Sequence, residues 1–166
     1  MHPYRAGQRL TEDRLNLGAA MIGRLVARLR RITTQAIPNN QITDVEFDQV
    51  DLDLLGGWNP AQPTRWTPPV PGWWHVSVRA VFATNSTSRR GVWAYLNSGP
   101  GFCGASVQAA ATGSTQCGGT GSTPANGTGD FIAMRVLQNS GGSLNLSADS
   151  TDQGSTMEIF YAGPLS

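Results

Sequence analysis

The sequence predicts a mainly β fold, an antiparallel sandwich, barrel or jelly roll, preceded by an N-terminal extended arm and an α-helix. Three observations carry this. Charged residues make up only 14% of the 166, so the polar surface must be built from Ser, Thr, Asn and Gln, a composition better suited to strands than to helices. Twenty Gly and ten Pro punctuate the chain with turns. From residue 44 onward, apolar residues recur with a period of two in short runs, with no helical stretch between them. The length suits one domain with its own core and a short appendage.

Residues 1–10 read as the arm. Thr11 suits an N-cap, and Glu12 and Asp13 suit the first helical turn, where carboxylates meet the positive end of the helix dipole. The spacing then predicts a helix to about Thr33. Leu15, Ile22 and Leu29 fall seven apart, with Leu25 and Ile32 three beyond the last two, which gives a narrow a/d seam. Two readings of this helix stay open: packing on its own domain, or a self-associating bundle or partner anchor, the second favoured by the narrow seam. Residues 1–36 are thus expected as an anchoring or trimerising segment, and residues 37–166 as the β domain.

Pro38-Asn39-Asn40 breaks the helix. Asp44 to Asp48 alternates polar and apolar residues, and so does Val50 to Leu54, with the phase shifted at Gln49 as a bulge would shift it. Trp73 to Phe82, Val92 to Leu96, Asp130 to Gln138, Leu144 to Ala148 and Met157 to Ala162 complete the strands. Asn139-Ser140-Gly141-Gly142 reads as a hairpin turn. Residues 97–129, rich in Gly, Ser, Thr and Ala, promise short strands at best.

The net charge of +1 hides an asymmetry. Residues 1–32 hold seven Arg against Glu12 and Asp13. Residues 33–64 hold Asp44, Glu46, Asp48, Asp51 and Asp53 and no base. A basic segment beside an acidic one suggests docking between unlike surfaces. Nucleic acid is not the expected partner, because the Arg face is short and lacks interleaved aromatics. Neither is a membrane: the apolar stretch Leu15 to Ala27 is interrupted by Arg24 and too short to span a bilayer. No secretory signal is visible, so synthesis and assembly in a cytoplasm are expected.

The residues offer little catalytic chemistry. The histidines are His2 and His75, and His75 lies on the polar side of its strand with no sequence-near nucleophile. Nucleophile elbow, zinc-protease motif and P-loop are all missing, and Gly99 to Gly104 matches a bare G-x-G-x-x-G without the strand–helix context a dinucleotide needs. The acidic row reads as a solvated or partner-facing edge rather than a calcium site, whose oxygens must converge. No enzyme activity, metal or cofactor is therefore expected. Cys103 and Cys117 lie in the Gly-rich stretch, and both states stay open: free thiols, or a disulfide whose loop closure would contribute about 3 kcal/mol. Alternation places Trp73 and Trp74 on opposite faces of one strand. One should enter the core and the other meet solvent or a second subunit, with a sugar-stacking platform as the lesser alternative.

The order of the elements carries a resemblance. Pro71-Gly72-Trp73-Trp74-His75-Val76-Ser77 resembles the P-x-G-aromatic-aromatic-x-V strand of the tumour-necrosis-factor and complement globular-head jelly rolls. Phe47 to Trp66 is similar to that family's opening strand and loop. Arg89 to Asn97 is similar to the next strand, Gly129 to Val136 to the G-D-x-[IV]-x-[LV]-x-V strand, and Ser155 to Gly163 to the closing strand. The resemblance spans about residues 44–165. It implies an antiparallel β-sandwich jelly roll and a compact homotrimer formed through one face of it.

Tyr4-Arg5-Ala6-Gly7-Gln8-Arg9-Leu10-Thr11 with Leu15-Asn16 also resembles the opening of small virion structural proteins of phages of actinobacteria. The expectation is a capsid decoration or head-fibre protein, located in the virion and held by a major capsid or other virion protein. The docking candidates are Tyr4, Arg5, Arg9, Arg14, Arg24, Arg28 and Arg31. The self-association candidates are Leu15, Ile22, Leu25, Leu29, Ile32, Trp73, Trp74 and Tyr161. The alternative is a fibre-tip module that binds a host receptor or surface glycan.

Overall fold

The computed structural model describes residues 20–127, 129–148 and 153–165. Its strands, in chain order, are β1 Leu25–Arg31, β2 Gln35–Ile37, β3 Thr43–Asp44, β4 Gln49–Asp53, β5 Arg65–Trp66, β6 Gly72–Phe82, β7 Arg89–Leu96, β8 Gly101–Gln108, β9 Thr115–Ala125, β10 Ile132–Gln138, β11 Leu144–Leu146 and β12 Ser155–Gly163. They form two antiparallel sheets. One runs β2-β11-β6-β12-β1-β4, with β9 on the free side of β6. The other runs β3-β10-β7-β8, with β5 also on β10. The jelly-roll expectation holds, built as two sheets packed over one core.

The largest departure from the sequence reading is at the N-terminus. Of the helix expected to about Thr33, residues up to 19 lie outside the described residues. Residues 25–31 are not helical: they form β1, paired with β12 on one side and β4 on the other. A strand flanked on both sides satisfies its N–H and C=O groups through two ladders, and that outweighs a modest helix propensity. Partner register also explains the misreading. Leu25 faces Phe160 and Ala27 faces Ile159, so Val26 is an extra residue, a β-bulge. The bulge turns Val26, Ala27 and Leu29 all inward, each fully buried. An i, i+3 pair on one face is what a helix would also give. Residues 25–37 therefore belong to the sandwich, and the domain boundary expected at 36/37 moves upstream.

The phase shift expected near Gln49 is also a bulge. Arg28 pairs with Leu52 and Leu29 with Val50, leaving Asp51 as the extra residue of β4. Val45 and Phe47 are buried while Glu46 and Asp48 are exposed, as alternation requires. The hairpin expected at Asn139 to Gly142 does not form, because β10 and β11 lie in different sheets. The turn carries the chain across the sandwich instead. Gln138, fully buried, holds it by donating from Nε2 to the carbonyls of Ile37 at 2.9 Å and Gly142 at 2.8 Å.

Residues 97–129 also depart from expectation. They hold β8 and the eleven-residue β9, which pairs with β6 along its whole length, from Gly72↔Ala125 to Phe82↔Thr115. Here glycine serves close backbone approach rather than turning. A Cβ on Gly119 would sit 2.7 Å from Cα of Gly104, and one on Gly121 would sit 2.6 Å from Cβ of Cys103. The edge strands of the two sheets thus meet along a glycine seam.

The core stacks Trp66, Trp74 and Tyr161 edge to face, with ring centroids 5.1 and 5.0 Å apart, a favoured aromatic geometry. The Trp66 indole N–H donates to Asp53 Oδ1 at 3.1 Å, and Asp53 also accepts from the Gly57 and Trp58 amides. One carboxylate thereby anchors the buried ring and the 54–58 loop.

Candidate functional site

The outer face of the seven-stranded sheet is set by the alternation of β6. Trp74, Val76, Val78 and Ala80 point into the core, which leaves Trp73, His75, Ser77 and Arg79 outside. Trp73 is 43% exposed, far above what an indole needs merely to satisfy its N–H. Beside it, His75 and Phe160 from β12 lie with ring centroids 6.1 Å apart, and His75 Nδ1 is 3.1 Å from the Ser122 hydroxyl on β9. The three rings form an aromatic patch at one end of the face. Phe160 was not among the sequence candidates, although the period of β12 places it opposite Ile159 and Tyr161.

The other end of the face is charged. Arg28 Nε lies 3.3 Å from Glu158 and 3.7 Å from Asp51, and Arg30 Nε lies 2.7 Å from Asp51. Arg31 reaches Asp48 at 3.5 Å and donates to the carbonyls of Thr33, Thr34 and Glu46. Burial disfavours ionisation of Asp51. Hydrogen bonds from Arg30 and Gln49, with the charges of Arg30 and Arg28, outweigh it and hold the carboxyl below its usual range. Asp48 is held down in the same way: burial opposes, while the Thr33 hydroxyl, the Ile32 amide and Arg31 favour the carboxylate. Arg28, Arg30 and Arg31 of the basic segment thus meet Asp48 and Asp51 of the acidic one within one chain.

These placements sort the sequence candidates. Leu15, Tyr4, Arg5, Arg9 and Arg14 lie outside the described residues. Leu29, Trp74 and Tyr161 are buried in the protomer's own core, because strand alternation, not a heptad, sets their direction. Leu25 and Ile32 are half-buried, Ile22 is 53% exposed and Arg24 is exposed. Arg28 and Arg31 are engaged with carboxylates of their own chain. Among the described candidates, only Trp73 and Ile22 present large apolar surface.

Cys103 and Cys117 are both free thiols. Cys103 lies against Gly121, whereas Cys117 is four residues further along β9. At a strand rise of about 3.3 Å that is roughly 13 Å, beyond the reach of a disulfide, about 7 Å between Cα atoms. Burial pushes the Cys117 thiol up to about 12, against the lowering influence of Arg90, and burial raises Cys103 as well. Among the described residues no cluster of three or more His, Cys, Asp or Glu could hold a metal ion.

Two residues of the resemblance motifs turn out to clasp each other. Asn97, in the left-handed region at φ 55°, donates from Nδ2 to Asp130 at 2.8 Å and accepts from the Phe131 amide at 2.8 Å. Asp130 also accepts from the Asn126 amide, and these bonds hold its carboxyl below the usual range.

No protein-family model and no curated relative matches the sequence. Solved structures do match. The chain is similar to Eiger TNF from S. frugiperda at 10% identity and a TM-score of 0.62, covering 84% of this chain and 93% of that one. It is also similar to murine APRIL at pH 8.0, with 17% identity, a TM-score of 0.56, and coverage of 81% and 96%. The same protein at pH 5.0 gives 17% and 0.54. The fold is therefore the tumour-necrosis-factor-like jelly roll, spanning nearly the full length of those chains.

Proposed function

We propose that this chain is a self-associating, non-enzymatic structural protein of a phage particle. Three jelly rolls pack through the outer face of the seven-stranded sheet, and the segment before β1 docks onto a major capsid protein or another virion protein. The observation that carries the self-association is the aromatic patch of Trp73, His75 and Phe160. A large indole standing out of a sheet next to two further rings is the composition of an interface centre. The fold supports the reading, since the resemblance to its family implies a trimer. Docking rests on the N-terminal resemblance and on the Arg excess. With Arg28 and Arg31 tied to their own chain, it falls to Tyr4, Arg5, Arg9, Arg14 and Arg24. Three bound arms would multiply a weak single contact.

Light scattering on the purified full chain tests the first part: a trimer mass is expected, and a monomer at micromolar concentration refutes it. Deleting residues 1–19 tests the second. Oligomers should persist while decoration of particles, seen by imaging, is lost. Particles still decorated by the truncated chain would refute the anchor.

A further inference from the structure

We propose that the outer face of the five-stranded sheet carries a binding site for an acidic sugar, a pyranose bearing a carboxylate, stacked on Trp93. This does not rest on the virion reading, and it concerns the sheet opposite the aromatic patch.

The site starts from two glycines. On β7, Arg90, Val92 and Ala94 are buried, so Arg89, Gly91, Trp93 and Tyr95 face outward. Strand register lines up Leu137, Gly91 and Ser106 in one row across the sheet, and Arg135, Trp93 and Gly104 in the next. A Cβ on Gly91 would sit 2.2 Å from Cη2 of Trp93, and one on Gly104 would sit 2.5 Å from its Cδ1. The indole therefore lies flat on the sheet, its six-membered ring over Gly91 and its five-membered ring over Gly104. Glycine in a strand costs stability, and two of them are placed where they let one ring lie down. A tryptophan needed only for burial would point inward, as Trp74 does. Trp93 instead stays partly exposed.

The indole borders a hollow of about 300 Å³ that Arg89, Arg90, Gly91, Ser106, Leu137 and Asn139 also line. Its rim holds unused polar groups. Asn139 Oδ1 accepts from the Arg89 amide at 3.0 Å, while its NH2 group and the Ser106 hydroxyl have no partner among the described residues. A flat π-face with donors around its edge fits a sugar ring, whose C–H face packs on the indole and whose hydroxyls meet the rim. Charge selects the kind of sugar. Arg135 is committed, stacked 4.5 Å over Tyr95 and 2.6 Å from Asp44. Arg90 is fully buried and its guanidinium is spent on the carbonyls of Thr87, Arg89 and Asn85. Among the described residues no carboxylate pairs with Arg89, so this rim guanidinium is left for an anion, which it can grip with two parallel hydrogen bonds.

The test is a nitrogen–proton NMR titration of the full chain with sialyllactose, with lactose as its neutral counterpart. Oligogalacturonate, run in parallel, separates a uronic from a sialic source. At least one acidic sugar should produce saturable shifts at the Trp93 indole N–H and at the amides of Gly91, Ser106 and Asn139. Lactose should bind about tenfold more weakly, the scale of one charge-assisted hydrogen bond. Trp93→Ala should abolish the shifts. Arg89→Gln, at an exposed side chain with no bond among the described residues, should erase the preference for acid and leave the fold intact, so the test stands even if Trp93→Ala does not fold. No saturable shift with either acidic sugar, shifts centred on Trp73, or equal affinity for lactose would overturn the proposal.

Discussion

Arg90 is fully buried without an acidic partner among the described residues, and its replacement by Met is the sharpest stability test the molecule offers. Its guanidinium donates from Nη1 to the carbonyls of Thr87 and Arg89, both at 2.9 Å. From Nη2 it donates to the carbonyl of Asn85 at 2.8 Å and to the Asn85 side-chain oxygen at 3.1 Å. Met has similar length and packs as well against Phe82, whose ring lies 5.9 Å from the guanidinium carbon. What Arg90→Met removes is the fork that ties the 85–89 turn to the sandwich. Three main-chain carbonyls lose a donor, the Arg89 carbonyl keeping only the 3.4 Å bond from the Asn139 amide, at about 1–3 kcal/mol each when buried. The turn is partly exposed and can rehydrate, so the low end applies, giving a loss of about 3 kcal/mol. With a urea m-value of about 2 kcal/mol per molar, the unfolding midpoint should fall by about 1.5 M. Arg90→Lys should be no better, since one ammonium cannot serve carbonyls on both sides and keeps the buried charge. A change under about 0.5 kcal/mol for Met would refute the account, because such a value marks an ordinary surface site.

Three further outcomes follow from the geometry. Trp73→Ser should lower the mass seen by light scattering while leaving the melting temperature of the protomer within a few degrees; an unchanged mass would remove the aromatic patch from the interface. Asp48, Asp51 and Asp130 all have carboxyls held below their unfolded values, so they contribute stability that is present above about pH 4 and lost as pH falls through their folded values. Urea midpoints should therefore be flat near neutrality and drop in acid, and Asp48→Asn should blunt that drop; an acid-insensitive midpoint would count against all three assignments. Cys117 should resist a thiol reagent in the folded protein at neutral pH and react on unfolding, and mild oxidation should leave no Cys103–Cys117 bridge detectable by mass spectrometry.

Much of the β domain was legible because alternation is a local signal. Glu46 and Asp48 outside, Val45 and Phe47 inside, and the opposed faces of Trp73 and Trp74 all follow from a period of two. The N-terminal strand was not legible, because its bulge at Val26 imitates a helical period and its pairing partners lie some twenty and over one hundred residues away. Sheet membership was equally hidden. Nothing in Asn139 to Gly142 tells a hairpin from a crossover, since the difference is made by Gln138 reaching Ile37. The candidate sugar platform was half legible: Trp93 could be placed on a strand, but its flat pose depends on Gly104, a residue of the neighbouring strand.

The glycine seam between β8 and β9 bears on how this protein can vary. Simple composition usually marks a stretch where substitutions drift freely. Here the Gly-Ser-Thr stretch is where two backbones touch, so Gly119 and Gly121 have no room even for a methyl group. The exposed turn between the two strands, by contrast, can change length and sequence at little cost. Across divergent copies, the freely varying part should be that short turn, while the plain-looking flanks on either side stay nearly fixed.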